Sequence, residues 1–313
     1  MLKAMVDILA AAVVTLGAPL FRKVGNWPGG YPRYLRQADR AGVHWRSTHY
    51  YQPTYRNSDL PDRVDHERDL PGIDLNIDGQ LALLSQFAFE QELSRLDAGS
   101  GELAYSFDNN QYGAGDAQAL YSMIRHLKPR RLIEIGSGNS TKIAAMAIAA
   151  NETQETGYCC EHICIEPYEM PWLEALGPRV IRQRVEEMDP AFFRTLREND
   201  ILFIDSSHVI RPFGDVLFEF QSIIPLLNKG VFVHVHDIFT PRDYPEKWLR
   251  DDRRLWNEQY LLEVLLQNSA RYRTVLALNW LRNNRLSELT AAFGNGDRLS
   301  ASQPGAYWFE VIG

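Results

Sequence analysis

From about residue 117 onward the chain alternates short, continuously apolar runs with segments of helical period, and this alternation constrains its fold more than any other feature. The runs "RRLIEI", "HICIEP", "DILFID" and "GVFVHVHDIF" show no alternation between apolar and polar residues. Strands of that kind are buried on both faces, as happens when crossover helices cover a parallel sheet from both sides. Helical patterns at "AQALYSMIRHL", "STKIAAMAIAA", "PAFFRTL" and "VLFEFQSIIPLL" supply the crossovers, with a short helix near "MPWLEAL" and an extended "RVIRQRV" between them. A helix over "WNEQYLLEVLLQN" then leads to the strand "YRTVLALNWL" and a terminal strand "AYWFEVIG". The polar stretch between these strands, 283–304, reads as an insertion. Five βα strands followed by two more predict an α/β fold, a doubly wound, mostly parallel seven-stranded sheet that ends in an antiparallel pair.

The first 110 residues read differently. Between 25 and 110 the chain is rich in Tyr, Trp, Pro, Arg and Asp, and only "GQLALLSQFAFEQELSRL" has the period of an amphipathic helix. We therefore divide the chain into an irregular N-terminal extension, 1–110, and a core domain, 111–313. The extension wraps the sheet and supplies a substrate wall or lid. At its start, "MVDILAAAVVTLGAPLF" (5–21) is strongly apolar and is followed by Arg22 and Lys23. Asp7 and the Gly-Ala-Pro step at 17–19 leave it short of the ~20 apolar residues that a spanning helix needs. Lys3 alone and no small-x-small site make a poor leader. A helix packed on protein, a peripheral membrane anchor through residues 4–21 and a leader all remain open.

With 33 Lys and Arg against 40 Asp and Glu, a formal charge of −7 and no basic stripe, the chain is no partner for nucleic acid. Its three cysteines, Cys159, Cys160 and Cys164, fall within six residues and have no second cluster to complete a zinc site, so they read as reduced thiols beside a buried strand. That suits a cytoplasmic protein, membrane-associated if residues 4–21 serve as an anchor. A homo-oligomer is left open.

In an open parallel sheet, ligands bind beyond the carboxyl ends of the strands, where the strand order reverses. The turn Gly136-Ser137-Gly138 follows the first strand, and Ser140 and Thr141 open the next helix. A dinucleotide turn would carry a third glycine where Thr141 stands. Glu134, two residues before the turn, would repel a diphosphate, and Glu166 at the next strand end can accept two hydrogen bonds from a ribose diol. A ligand with a ribose, a positive group and no diphosphate fits, which points to S-adenosylmethionine. Its cationic end would lie near Glu134 and its ribose on Glu166.

In this order and spacing, "LIEIGSGNST", "CIEP", "DILFIDSSHV" and "GVFVHVHDIFTP" resemble a class I S-adenosylmethionine-dependent methyltransferase with its Rossmann-like fold. They resemble most the branch with the macrocin-type sugar O-methyltransferases and the cephalosporin-hydroxylase-like proteins. The resemblance covers about residues 110–313.

Asp205, in "DSSH" with His208, and Asp237, after His234 and His236, fall at neighbouring strand tips. Side-chain alternation puts His234 and His236 on one face. Asp205 is also counted among the cofactor residues. The resemblance implies that Asp205 and Asp237 are metal positions, with His236 where some relatives place a Glu. Imidazole suits Zn, Fe or Mn better than Mg²⁺. Two mechanisms stay open: a divalent metal on Asp205, Asp237 and His236 (or His208) that acidifies an acceptor hydroxyl, and a metal-free general base, His208 or His236, oriented by Asp205 or Asp237. His208, His236 and Asp237 are the catalytic candidates. Asp116 reads as a helix N-cap. The resulting expectation is O-methylation of a small-molecule or glycan acceptor. A hydroxylase-like or other non-methylating enzyme on the same fold, or a non-catalytic cofactor-binding scaffold, stands as the alternative.

Overall fold

The computed structural model describes residues 1–26, 28–168 and 170–313. Packing divides the chain into two compact units, 1–64 with 249–255, and 65–248 with 256–313.

The smaller unit opens with α1 (Leu2–Asn26), an uninterrupted helix that contains Pro19. The Gly-Ala-Pro step read as a break is therefore not one. A proline inside a helix removes a single N–H bond, and Gly17 leaves room for the Phe21 ring one turn on, whose nearest carbon would lie 2.2 Å from a Cβ at Gly17. Phe21 in turn stacks on Trp45 with ring centroids 4.0 Å apart. The next helix, α2 (Pro32–Ala41), has proline in its first turn and stops at Gly42 in the left-handed region, φ 65°.

The larger unit is built on one seven-stranded sheet with the order β3-β2-β1-β4-β5-β7-β6. Its strands are β1 (Arg131–Ile135), β2 (Glu161–Ile165), β3 (Arg179–Ile181), β4 (Ile201–Ile204), β5 (Phe232–Val235), β6 (Tyr272–Ala277) and β7 (Tyr307–Val311). All pairs are parallel except those of β7, which runs antiparallel between β5 and β6. Strand order reverses between β1 and β4, as the doubly wound reading requires. The helices of this part of the chain are α3 (Ile77–Leu84), α4 (Glu90–Leu93), α5 (Asp116–Leu127), α6 (Asn139–Gln154), α7 (Asp215–Phe218), α8 (Glu246–Arg250), which straddles the division, and α9 (Glu258–Leu266). Three more follow β6: α10 (Leu278–Asn284), α11 (Leu286–Phe293) and α12 (Gly296–Ala301).

Several sequence expectations shift in detail. Residues 79–96, read as one amphipathic helix, form α3 and α4 with a break in which Phe87 turns in to stack on Phe293, centroids 6.1 Å apart. The strand ending "LNWL" stops at Ala277, and Leu278, Trp280 and Leu281 are buried as part of α10. The stretch 283–304 is no insertion: α11 and α12 bury Leu289, Phe293 and Leu299 against the core. "PAFFRTL" is a 3-10 segment capped by Asp189. "VLFEFQSIIPLL" is broken into α7, a π-helical turn Glu219–Ile223 and a 3-10 turn.

The boundary drawn at residue 110 also moves, because residues 65–110 pack within the larger unit. The side chain of Asn76 donates to Thr274 O at 2.8 Å, and Ala277 N donates to Gln80 Oε1 at 2.7 Å. Both occupy backbone groups of β6, the edge strand, which would otherwise be open to pairing. Arg68 is held by Glu263 and by Pro241 O.

Gly136 fixes the approach of β1 to β4. Its φ is +77°, and a Cβ there would lie 1.9 Å from the Asp205 carbonyl oxygen, a backbone atom that cannot rotate away. Gly136→Ala is expected to cost about 3 kcal/mol or more of stability, read as a lower urea midpoint with an unchanged denaturant slope.

Candidate functional site

The turn after β1 is held from below and from the side. Thr141, in the first turn of α6, accepts a hydrogen bond from Gly138 N at 3.1 Å and donates through its hydroxyl to Glu134 Oε2 at 2.6 Å. Glu134 is fully buried, with His162 Nε2 3.1 Å from its other oxygen. It therefore does not face the open side of the turn, where a cationic ligand end was expected to meet it. Strand burial decides this, since β1 is covered on both faces. Ser140 is also buried. Glu166, just past β2, stands at the turn: its carboxylate accepts from Ser137 N at 3.3 Å and from Tyr168 N at 3.0 Å.

Across the strand-order reversal lies the second half of the site. Asp205 N donates to Ile135 O at 2.8 Å, so the residue after β4 is registered on β1 by backbone. Its carboxylate oxygen Oδ1 is 3.3 Å from His208 Nε2 and 3.3 Å from His236 Nδ1. Asp237 Oδ2 lies 3.4 Å from His208 Nε2. The structure thus brings Asp205, His208, His236 and Asp237 together, and the expected neighbourhood of Asp205 and Asp237 holds. His234 shares a face with His236, as the alternation required, but is stacked on Phe203 at 4.1 Å and fully buried. His208 is not at a strand end; it sits in the following loop in the left-handed region, φ 60°, and Asp237 has φ 56°.

Glu258, which the sequence reading passed over, and Asp116, which it read as a helix N-cap, complete the cluster. Glu258, the first residue of α9, places Oε2 2.9 Å from His208 Nδ1 and has no exposed surface. Asp116 is not the N-cap of α5, a place taken by Gly115. Its carboxylate instead accepts from Ala306 N at 2.8 Å and Gly305 N at 3.3 Å, pinning the start of β7, and lies 3.5 Å from His236 Nε2. An acid opening an apolar helical period, as Glu258 does in "NEQYLLEVLL", was the available signal, and it reads equally as a helix-dipole partner.

The electrostatics follow from an excess of acid. Asp116, Asp205, Asp237 and Glu258 surround His208 and His236, so the carboxylates outnumber the imidazoles by two. Burial pushes His208 down, but its hydrogen bonds to Asp205 and Glu258 and the Asp237 and Glu258 charges carry it to about 10. His236 likewise loses to burial and gains more from the charges of Asp237 and Asp205, ending well above its usual range. Burial also raises Asp205, yet the His236 charge and the His208 hydrogen bond reverse it and hold it far below the usual carboxylate range. Asp237 keeps a net upward shift, because burial outweighs the two imidazoles. His234, pressed down by burial and by the His236 charge, stays neutral.

Asp205, His208 and Asp237 offer three donor atoms within 4.8 Å of one another. Two carboxylates and an imidazole in an acid-rich surround fit a divalent transition ion. Of the two histidines left open, His208 completes this compact group, and His236 Nε2 faces Asp116 at 3.5 Å. Glu134, His162 and Cys164 form a second such group, buried beneath the glycine turn. There the Thr141 hydroxyl already donates to Glu134.

Residues 133–238 match a family model described as a methyltransferase domain. An uncharacterized protein of Archaeoglobus fulgidus is 29% identical over 167 residues, 49% of this chain and 74% of that protein. Among solved structures, an O-methyltransferase from Bacillus cereus with S-adenosylhomocysteine is 13% identical over 73% of this chain and 99% of that one, with a TM-score of 0.37. CalS11, a TDP-rhamnose 3′-O-methyltransferase of calicheamicin biosynthesis, is 14% identical over 71% and 92%, with a TM-score of 0.40.

The upward shift of His208 has a signed consequence. A histidine raised by folding contributes stability that is complete below its unfolded value of about 6.5 and disappears as pH rises through about 10. In EDTA, the stability difference between the wild-type chain and His208→Gln is expected to shrink steadily across that window, measured by urea unfolding at a series of pH values. A constant difference would show that His208 is not held protonated.

Proposed function

We propose that this chain, whose residues 133–238 match a methyltransferase domain, is a class I S-adenosylmethionine-dependent methyltransferase that moves the sulfonium methyl group to a hydroxyl of a small-molecule or glycosidic acceptor. One observation carries the reading. Asp205 belongs to both halves of the site: its backbone abuts Gly136 and bonds Ile135, while its carboxylate faces His208 and His236. A methyl donor seated on the glycine turn would therefore lie beside the groups that prepare the acceptor oxygen, which is the placement an in-line transfer needs.

The transfer converts an acceptor O–H and the sulfonium into an ether, S-adenosylhomocysteine and a proton. The chain's own residues supply position and a place for that proton. Glu166 stands beside the turn, where its carboxylate would accept from a ribose diol. Glu258 locks the His208 ring from its Nδ1 side, so that Nε2 points between Asp205 and Asp237. Asp116 Oδ2 faces the far nitrogen of His236 at 3.5 Å as an ion-pair partner. Asp237, pushed up by burial, is the better proton acceptor of the two strand-tip carboxylates. His208 and His236 hold protons at neutral pH and stabilise developing negative charge rather than act as bases. In place of the His208 Nε2 proton, a divalent ion held by Asp205, His208 and Asp237 would supply Lewis acidity toward the acceptor hydroxyl. The acid excess of the cluster supports that assistance.

Calorimetric titration tests the cofactor half. S-adenosylmethionine and S-adenosylhomocysteine are expected to bind and NAD not to, with Glu166→Ala weakening both by about tenfold or more; binding of NAD alone would overturn the reading. Methyl transfer to a panel of phenolic and nucleotide-sugar acceptors tests the other half. Asp237→Asn is expected to lower kcat by at least about a hundredfold with cofactor affinity nearly unchanged. A rate unaffected by EDTA would remove the metal and leave Asp237 as the base.

A further inference from the structure

Helix α1 is apolar on every side. At 100° per residue, Ile8, Leu9, Val6 and Val14 mark four separated directions around its axis, and all four are exposed. Ile8 is 69% and Leu16 83% exposed, so no protein surface of this chain covers them. The window of residues that gives the helix a mean hydropathy of 2.0 has none of its residues buried. An isolated helix of this kind in water would leave that apolar surface unburied, at a cost of about 25 cal/mol for each Å².

Three features name the occupant. The first is length: residues 4–21, with Asp7 as their sole charge, span about 27 Å at 1.5 Å per residue, close to the ~30 Å hydrocarbon core of a bilayer. Asp7 lies in the first turn of that span, about 5 Å from its end and one turn from Lys3, close to the headgroups. The second is the missing polar face. A helix lying in the plane of a membrane needs one charged side to keep in water, and α1 has none between Ile8 and Phe21. The third is charge asymmetry. Lys3 precedes the apolar run, whereas Arg22, Lys23, Arg33, Arg36 and Arg40 follow it. The last three lie exposed on a single face of α2, opposite its buried Ala38. Such a flank stays on the cytoplasmic side and is attracted to anionic lipid there.

We infer that α1 crosses a phospholipid bilayer once, with its amino end outside and the arginine face of α2, followed by the rest of the chain, on the cytoplasmic side. The inference stands apart from the methyl-transfer reading. The Pro19 in the helix is no obstacle, since prolines are tolerated in spanning helices.

The test uses the full chain in bacterial membranes. Intact wild-type protein is expected to stay in the pellet through alkaline carbonate extraction. With a membrane-impermeant maleimide on intact spheroplasts, Leu2→Cys is expected to be labelled, while the native exposed Cys159 reacts only after permeabilisation. A Leu9→Arg, Val13→Arg double variant is expected to move to the soluble fraction and still bind S-adenosylmethionine. Release of the wild-type chain by carbonate would overturn the crossing in favour of a surface-bound helix. Loss of the α1 segment, seen by intact mass, would make it a cleaved leader, and labelling of Cys159 in intact spheroplasts would overturn the orientation.

Discussion

The rim of the sheet depends on the place where Gly136 and Asp205 meet. With no Cβ at residue 136, the turn after β1 lies against the Asp205 carbonyl, and Asp205 N closes the register on Ile135. Because both contacts involve backbone, the Asp205 Cα is placed by the sheet itself, and its carboxylate is held against His208 and His236. From there the order propagates outward: Asp205 sets His208 and His236, Glu258 and Asp116 hold the far nitrogen of each ring, and Asp116 also anchors β7 through Gly305 and Ala306. The last strand, the first core helix and the acid cluster thus share one hydrogen-bonded frame.

The same cluster holds two strained residues. Left-handed backbone at His208 and Asp237 costs of order 1–3 kcal/mol each for side chains of this type. Backbone bonds hold each of them in place. His208 O accepts from Asn257 N at 3.0 Å, and Ile238 N, next to Asp237, donates to Gly305 O at 2.8 Å. Strain of this kind, kept where titratable groups converge instead of in an anonymous turn, marks geometry set in advance of a ligand.

The sheet was legible because buried parallel strands leave a composition signal that survives without knowledge of contacts. "LIEI", "CI", "LFI" and "FVHV" all fall in strands, and the glycine turn lies at the reversal between β1 and β4. The pairing of Asp205 with Asp237 was legible for the same reason, since both end neighbouring strands. What escaped was whatever depends on direction rather than order. Glu134 was assigned a ligand because its number is right, yet in a strand covered on both faces a side chain can point only into protein. Glu258 and Asp116 reach the cluster from helix starts 50 and 120 residues away from the histidines they face, a distance that no local pattern encodes. α11 and α12 were hidden by polar residues between sparse apolar positions that become meaningful only once the core is in place.

The structure also shifts the ground on which a diphosphate is excluded. In a dinucleotide turn, the backbone N–H groups at the helix start are left open for an anion. Here Ser137 N is already bonded to the Glu166 carboxylate, and Gly138 N to the Thr141 hydroxyl, which itself donates to Glu134. A diphosphate would meet a carboxylate in place of one donor and an occupied amide in place of the other. Where a dinucleotide turn would carry its third glycine, the Thr141 hydroxyl ties the turn to the buried acid beneath it.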